Sequence, residues 1–307
     1  MNATPPACDI DIVVVALVSG ETLAACLTRL APWHGRCHVV LHAENEIAVW
    51  QARFPAVHFL AAKGQPVPLR RQRGVEAAQG EFVALLEDTT LPEASWLEAA
   101  CAAFANPRVA AVAGPVNIDR HLAGRYQALA CTEYGRYHAA LFPRLSLGEA
   151  SGDLLRVSRL PGNHLAYRRA VLLEILTGGT RGLIEGEVNE VLKSRGQWLA
   201  YQPRMAACYA AADRHGAGLG TRMQHGRLYA SQRAAGQGVA GRLVLLAKAL
   251  LLPAVLSARG LSSMVRVVKP AAWLGTASWI VVMESAWAWG EALGAIAGPG
   301  RSMETWR

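Results

Sequence analysis

The chain carries a short apolar run from Ile10 to Val18, rich in β-branched residues and closed by Ser19-Gly20. A run without polar alternation predicts a strand buried on both faces, as in a parallel sheet. Glu21 to Leu30 follows with Leu23, Cys26, Leu27 and Leu30 at helical spacing. His38–Leu41 and, more weakly, Val57–Leu60 predict two more strands. A helix is predicted from near Val67 to Gln79, where Gly80 ends it. Phe82–Leu86 predicts a strand that stops at Glu87-Asp88, Pro92–Phe104 a helix and Val109–Val112 a strand. This alternation predicts a doubly wound α/β unit, which receives ligands beyond the carboxyl ends of its strands. Further on, 120–145 reads as helical and 146–160 as a loop. LPGNHLAYRR leads into a helix from Ala170, Ile184–Gly196 predicts another helix, and Trp198–Tyr201 a strand closed by Pro203. Two longer apolar segments follow: Leu243–Ala258, interrupted by Lys248 and Pro253, and Ala271–Trp289, interrupted by Glu284.

Composition adds a membrane to this picture. Of 307 residues, 52% are hydrophobic and 18% charged, too apolar for a disordered chain and high for an ordinary soluble enzyme. The net charge of +8 is not spread evenly. Residues 201–270 hold ten basic residues and one acid, a net +9, and the remainder is −1. The excess therefore sits beside the apolar segments and points to an anionic membrane surface. Nucleic acid is not expected, because the basic residues interleave with apolar runs and not with stacking aromatics. If both segments spanned a bilayer, Arg259, Arg266 and Lys269 would lie opposite the α/β unit, against positive-inside logic. Interfacial or re-entrant helices are expected, with Trp273, Trp279, Trp287 and Trp289 at the interface. A spanning hairpin is the rival. The N-terminus has no basic residue before its apolar run and does not read as a secretory signal. Six widely spaced cysteines, none in a CxxC pair, are expected to be reduced and mostly buried.

The candidate chemistry lies at the predicted strand ends. Ser19, Gly20 and Glu21 follow the first strand, Glu44 the second, and Glu87-Asp88 the fourth. Gly20 stands alone where a dinucleotide fold needs GxGxxG, which disfavours that class. Carboxylates at a strand end can hold a divalent cation, Mg2+ or Mn2+, that neutralises a diphosphate. Arg71 on the adjacent helix can meet phosphate bidentately. The alternative is that Glu87 and Asp88 simply cap the next turn.

The stretch PLRRQRGVEAAQGEFVALLEDTTLPEASWLEA resembles family-2 glycosyltransferases of the GT-A fold, through Arg71, Gly74, Ala78, Gly80-Glu81 and Glu87-Asp88. LPGNHLAYRR is similar to the family's acceptor-side segment, which implies roles for Gly162, Asn163 and His164; packing is the preferred reading of His164. IEGEVNEVLKSRGQWLAYQP resembles its acidic helix. Counting back from Gly196 gives Glu185 as the implied general base, with Glu187 in reserve. EYGRYHAALFPR resembles a bacterial subgroup with apolar C-terminal segments. MQHGRLYA is similar to a relaxed QxxRW motif, which implies Gln224 beside the acceptor and Arg227 beside the diphosphate. The departures are Thr89 in place of a second motif Asp, Leu228 in place of Trp, and no Asp after the second strand. His215 stands near the place of an occasional family metal ligand.

The resemblance thus implies a GT-A-type doubly wound mixed sheet followed by a helical membrane-associated region. The expected divisions are a nucleotide-sugar half (1–115), an acceptor half (116–215), and basic linker with membrane helices (216–307). The implied activity is inverting glycosyl transfer from a nucleotide-diphosphate sugar to a lipid, lipid-linked or polysaccharide acceptor at the cytoplasmic membrane face. The alternative is a degenerate module that binds nucleotide-sugar or partner proteins without turnover. A nucleotidyltransferase ranks last, for want of a Gly-rich phosphate loop after the first strand.

Overall fold

The structure is a computed structural model that describes residues 8–119, 121–178, 181–210 and 218–302. The first part alternates β1 (Ile10–Val15), α1 (Gly20–Arg29), β2 (Cys37–Leu41), α2 (Ile47–Arg53), β3 (His58–Ala61), α3 (Val67–Ala77) and β4 (Phe82–Glu87). Next come β5 (Thr90–Pro92), α4 (Trp96–Phe104), β6 (Val109–Ala113), β7 (Val116–Ile118) and α5 (Gly124–Glu133). Then follow β8 (Ser146–Ser151), β9 (Leu154–Val157), β10 (His164–Arg168), α6 (Arg169–Thr177), α7 (Glu185–Ser194), β11 (Trp198–Tyr201) and β12 (Ala207–Tyr209). The last helices are α8 (Leu219–Ala234), α9 (Val239–Val267) and α10 (Trp273–Ala297).

Nine strands form one mixed sheet in the order β3-β2-β1-β4-β10-β6-β11-β9-β8, and β5-β12-β7 form a small second sheet. The four strands read from the first apolar runs are parallel neighbours. β1 and β4 are buried along their whole length, which is why they show no polar alternation. Gly74 lets α3 lie close on β1: a Cβ there would meet Val13 Cγ1 at 2.2 Å.

Four expectations change. β10, read only as a lead into a helix, is a central strand, antiparallel to both β4 and β6. The loop predicted over 146–160 is the edge hairpin β8–β9, turned at Gly152, whose φ of +58° suits glycine. Helix α4 starts at Trp96 and not at Pro92, because Pro92 pairs with Ala207 in the small sheet. The thiols are not all reduced: Cys8 and Cys101, 93 residues apart, are joined in a disulfide. Cys26, Cys37 and Cys131 are buried thiols, and Cys208 is a partly exposed one.

The chain divides into two compact units. One comprises residues up to Asn117 with Tyr137–Ala210, and the other Ile118–Arg136 with Ala211–Arg307. Residues 118–136 thus pack with the C-terminal helices, although the sequence groups them with the acceptor half. In that second unit α10 packs along α8 at backbone contact. A Cβ on Gly226 would lie 2.2 Å from the Trp287 carbonyl oxygen, and one on Gly290 1.9 Å from that of Met223. Arg222 ties the unit internally, donating to Glu133 at 3.0 Å and to both oxygens of Glu284 at 3.2 Å, with Trp287 4.6 Å from its guanidinium.

Candidate active site

The site lies in the first unit, at the carboxyl ends of β1 and β4. Arg71, only 3% exposed, is its centre. One guanidinium nitrogen donates to Glu185. The other donates to Glu87 at 2.6 Å and to the Gly162 carbonyl oxygen at 3.2 Å. Three distant stretches of sequence thus meet on one side chain. Glu185 opens α7, where the positive end of the helix dipole favours a carboxylate. Its side chain retains 22% exposure, so it faces outward from a buried anchor. Gly162 makes the seat: a Cβ there would stand 2.0 Å from Glu185 Oε1. The other acids of α7 turn away, since exposed Glu187 pairs with Arg181 at 2.9 Å and exposed Glu190 with Lys193 at 2.7 Å. The reserve role of Glu187 therefore has no geometric support.

Asp88 is fully buried and organises the loop after β1. Its carboxylate accepts the N–H groups of Leu17 at 2.9 Å, Val18 at 3.0 Å and Ser19 at 2.8 Å. Burial pushes its carboxyl upward, against the pull of those three N–H groups and of Arg70. Arg70, itself 1% exposed, holds the Ala16 carbonyl oxygen at 2.7 Å. The loop so pinned takes an uncommon shape, with both Ser19 and Gly20 at positive φ, 60° and 59°. For a serine this is a strained conformation of the kind that surroundings must enforce, and Asp88 supplies the enforcement.

Below this loop Gly20, Asn45, Glu46, Val49, Trp50 and Arg53 line a cleft of about 470 Å³. Glu46, not the expected Glu44, reaches the loop, accepting the Ser19 hydroxyl at 3.3 Å. Glu44 is exposed at the start of the same turn, and Glu21 is an exposed side chain 3.7 Å from Arg53. Nothing in the local pattern distinguishes Glu44 from Glu46; only the 3-10 turn at Glu44–Glu46 does.

Two of the acceptor-side residues pack inside the fold, as the preferred reading of His164 has it. Asn163 and His164 are fully buried at the start of β10 and brace β4. The Asn163 side-chain amide donates to Thr90 Oγ1 at 3.0 Å, and the Asn163 backbone carbonyl oxygen accepts the Glu87 N–H at 3.0 Å. His164 Nδ1 accepts the Trp96 indole N–H at 3.2 Å, and burial lowers its pKa to about 3, so the ring is neutral. Tyr167, two strand positions inward from Leu165, donates its hydroxyl to Asn189 of α7 at 3.1 Å and supports that helix from below.

Gln224 and Arg227 belong to the second unit. There Gln224 accepts the Ser302 hydroxyl at 2.6 Å, and Arg227 donates to the Gly298 carbonyl oxygen at 2.9 Å. His215 lies outside the described residues.

A Mg2+ or Mn2+ ion requires several hard oxygen ligands. Among the described residues no three His, Cys, Asp or Glu side chains converge to hold one. Both Asp88 oxygens accept backbone N–H groups, Glu87 pairs with Arg71, and Thr89 stands where a second motif Asp would be. Among the described residues there is thus no preformed cage of protein ligands; a Mg2+ or Mn2+ ion here would rest on one or two carboxylates, Asp88 or Glu87, together with the donor phosphates.

The chain is similar to the crystal structure of GalNAc-T7 with UDP, GalNAc and Mn2+, with a TM-score of 0.52 and 11% identity over 75% of this chain. It spans about half of that protein, 51% of its length. It is also similar to the mannosyltransferase PcManGT from Pyrobaculum calidifontis in complex with GDP-Man and Mn2+, with a TM-score of 0.50 and 14% identity over 91% of this chain and 88% of that one. At these identities the likeness establishes the fold, which is GT-A. No curated protein matches the chain. The family model for "Glycosyltransferase like family 2" matches residues 5–251, and the chain belongs to that family.

Proposed function

We propose that the protein is an inverting glycosyltransferase that moves a sugar from a nucleotide-diphosphate donor to a hydroxyl of a lipid, lipid-linked or glycan acceptor at the cytoplasmic face of a membrane. The observation that carries this reading is the seat of Glu185, a partly exposed carboxylate fixed by Arg71 over Gly162, beside the carboxyl end of β4. The nucleoside half of the donor occupies the cleft between Gly20 and Asn45-Glu46, under the loop that Asp88 holds. The UDP and GDP-Man bound by the two similar structures support a donor of this class.

In this reading Glu185 accepts the proton of the acceptor hydroxyl as its oxygen attacks the anomeric carbon. The bond from that carbon to the diphosphate oxygen breaks on the opposite face, and the configuration inverts. Arg71 keeps the carboxylate aimed, Gly162 leaves room for it, and Asp88 preorganises the loop against the donor. No step is assigned to a divalent ion; transfer measured with Mn2+, Mg2+ or EDTA tests that assignment. The reading as a whole is tested by incubating purified protein and membranes with a panel of nucleotide sugars, scoring released nucleotide and labelled product. Transfer from one donor is the expected result. Tight nucleotide binding with no transfer from any donor would favour the non-catalytic binding module, for which the incomplete acid motif is the specific observation.

A further inference from the structure

Helices α9 and α10 are each long and apolar enough to cross a bilayer. Their charges are disposed in opposite ways. In α10 the two acids point inward. Glu284 is 3% exposed and meets Arg222, while Glu291 is 6% exposed and meets Arg233 at 3.4 Å and the Trp287 indole N–H at 2.7 Å. Polar helices lie along α10 for most of its length. α5 touches it at Gly275–Thr276, and α8 runs beside it from Trp287 to Gly294. To carry α10 across a membrane would take Arg222, Arg227 and Arg233 of α8 into hydrocarbon with it.

In α9 the charges point outward. At 100° per residue, buried Leu245, Ala249, Gly260, Ser263 and Met264 fall on one face of the helix. Exposed Leu243, Val244, Leu250, Leu251, Val255 and Val265 fall on the other. Of its four exposed basic residues, Arg242 stands in the first turn on the side of the buried face, and Lys248, Arg259 and Arg266 run between the two faces. They stand eleven and seven residues apart, three and two helical turns, so they align within about 20° around the axis over about 27 Å of its length. A spanning helix keeps its charges at its ends. A row of charges along the flank of an apolar face suits a helix lying in the interface plane. The residues 218–302 contain no acids besides Glu284 and Glu291, so the exposed charge of these helices is wholly positive.

We propose that α9 lies flat in the headgroup–acyl boundary of an anionic phospholipid bilayer, with Leu243, Leu250, Leu251 and Val255 immersed and Lys248, Arg259 and Arg266 on headgroup phosphates. Neither α9 nor α10 crosses, and α10 is the strut that fixes α9 to α8 and α5. The proposal rests on the membrane placement in the functional reading above and not on its chemistry.

The test is co-sedimentation of the full-length protein with vesicles of phosphatidylcholine alone or with phosphatidylglycerol at seven to three. Binding is expected on the mixed vesicles and at least tenfold less on the neutral ones. Replacing Lys248, Arg259 and Arg266 together by Gln weakens binding to the mixed vesicles about a hundredfold, at roughly a factor of five per basic residue. Leu250→Gln with Leu251→Gln weakens binding on both compositions. A Lys269→Cys variant, which leaves the packing intact, reads the topology. On vesicles its added thiol stays open to a membrane-impermeant maleimide, above the labelling of the unmodified protein. Protection of that thiol, equal binding to both vesicle types, or no vesicle binding would overturn the proposal. None of these readouts depends on the Arg71 site, so failure here leaves the transfer reading intact, and failure of transfer leaves this one.

Discussion

Each unit contains a buried arginine that bridges two carboxylates: Arg71 between Glu87 and Glu185, and Arg222 between Glu133 and Glu284. As ion-pair clusters they are nearly alike, with one deeply buried acid and one about a quarter exposed in each. Their settings differ. Arg222 joins side chains on the flanks of three helices and is covered by the Trp287 ring, so its bonds hold a bundle together. Arg71 joins a strand end, a loop carbonyl and the first residue of a helix, next to a strained loop and an open cleft. In the proposed reading the same chemical motif is a brace in one place and a catalytic mount in the other. What decides is where the fold puts it, because open α/β sheets leave room for ligands only beyond their strand ends.

This contrast can be broken by substitution. The largest effect is expected from Arg222→Met, which strands Glu284 in the bundle and should cost about 3–5 kcal/mol of stability by denaturant unfolding. Turnover per folded molecule should be unchanged; a specific loss of turnover would erase the distinction between the two arginines. Next is Gly162→Ala, whose methyl group displaces Glu185 and should lower turnover about a hundredfold with little change in unfolding. Gly290→Ala is its counterpart: about 1–3 kcal/mol of stability lost through overpacking against Met223, with turnover preserved. Asp88→Asn replaces an acceptor by a donor facing N–H groups and should weaken donor affinity by about tenfold, roughly the value of one misdirected hydrogen bond.

The last effect, absent at neutral pH and growing as pH falls, is a pH dependence. His164 titrates near 3 in the folded protein against about 6.5 when unfolded. A depressed folded value means that only the unfolded chain takes up the proton between those limits. The stability tied to neutral His164 is therefore complete above pH 6.5 and declines as pH falls toward 3. His164→Gln, which can still accept the Trp96 N–H, should flatten thermal unfolding over that range. Equal slopes in the two proteins would contradict the assignment.

Much of this arrangement is legible in the residues, and the gaps have physical causes. Strands β1, β2, β4 and β6 announce themselves as largely apolar runs, interrupted only by Asp11, His38 and the terminal Glu87. β10 is equally central, but His164 and Arg168 at its ends mask a core of only three apolar residues. β8 is an exposed edge, SLGEAS, with no apolar face to show. Glu185 can be counted out from Gly196, whose φ of +74° marks the end of its helix. The partnership of Glu185 with Arg71 cannot be counted, since 114 residues separate them. Nor can the task of Asp88: a carboxylate after a strand looks the same whether it awaits a cation or holds a loop. The membrane tail shows the same limit. Length and apolar content admit both α9 and α10 as spanning helices, and only packing shows that the charges of one turn inward and those of the other outward.

The central claim is that Glu185 is the base and Arg71 its mount. The most direct measurement is single-turnover transfer by Glu185→Gln with saturating donor. The expected result is a transfer rate lower by about 10²–10⁴, with donor affinity and unfolding close to those of the parent protein. Transfer at the parent rate would contradict the account.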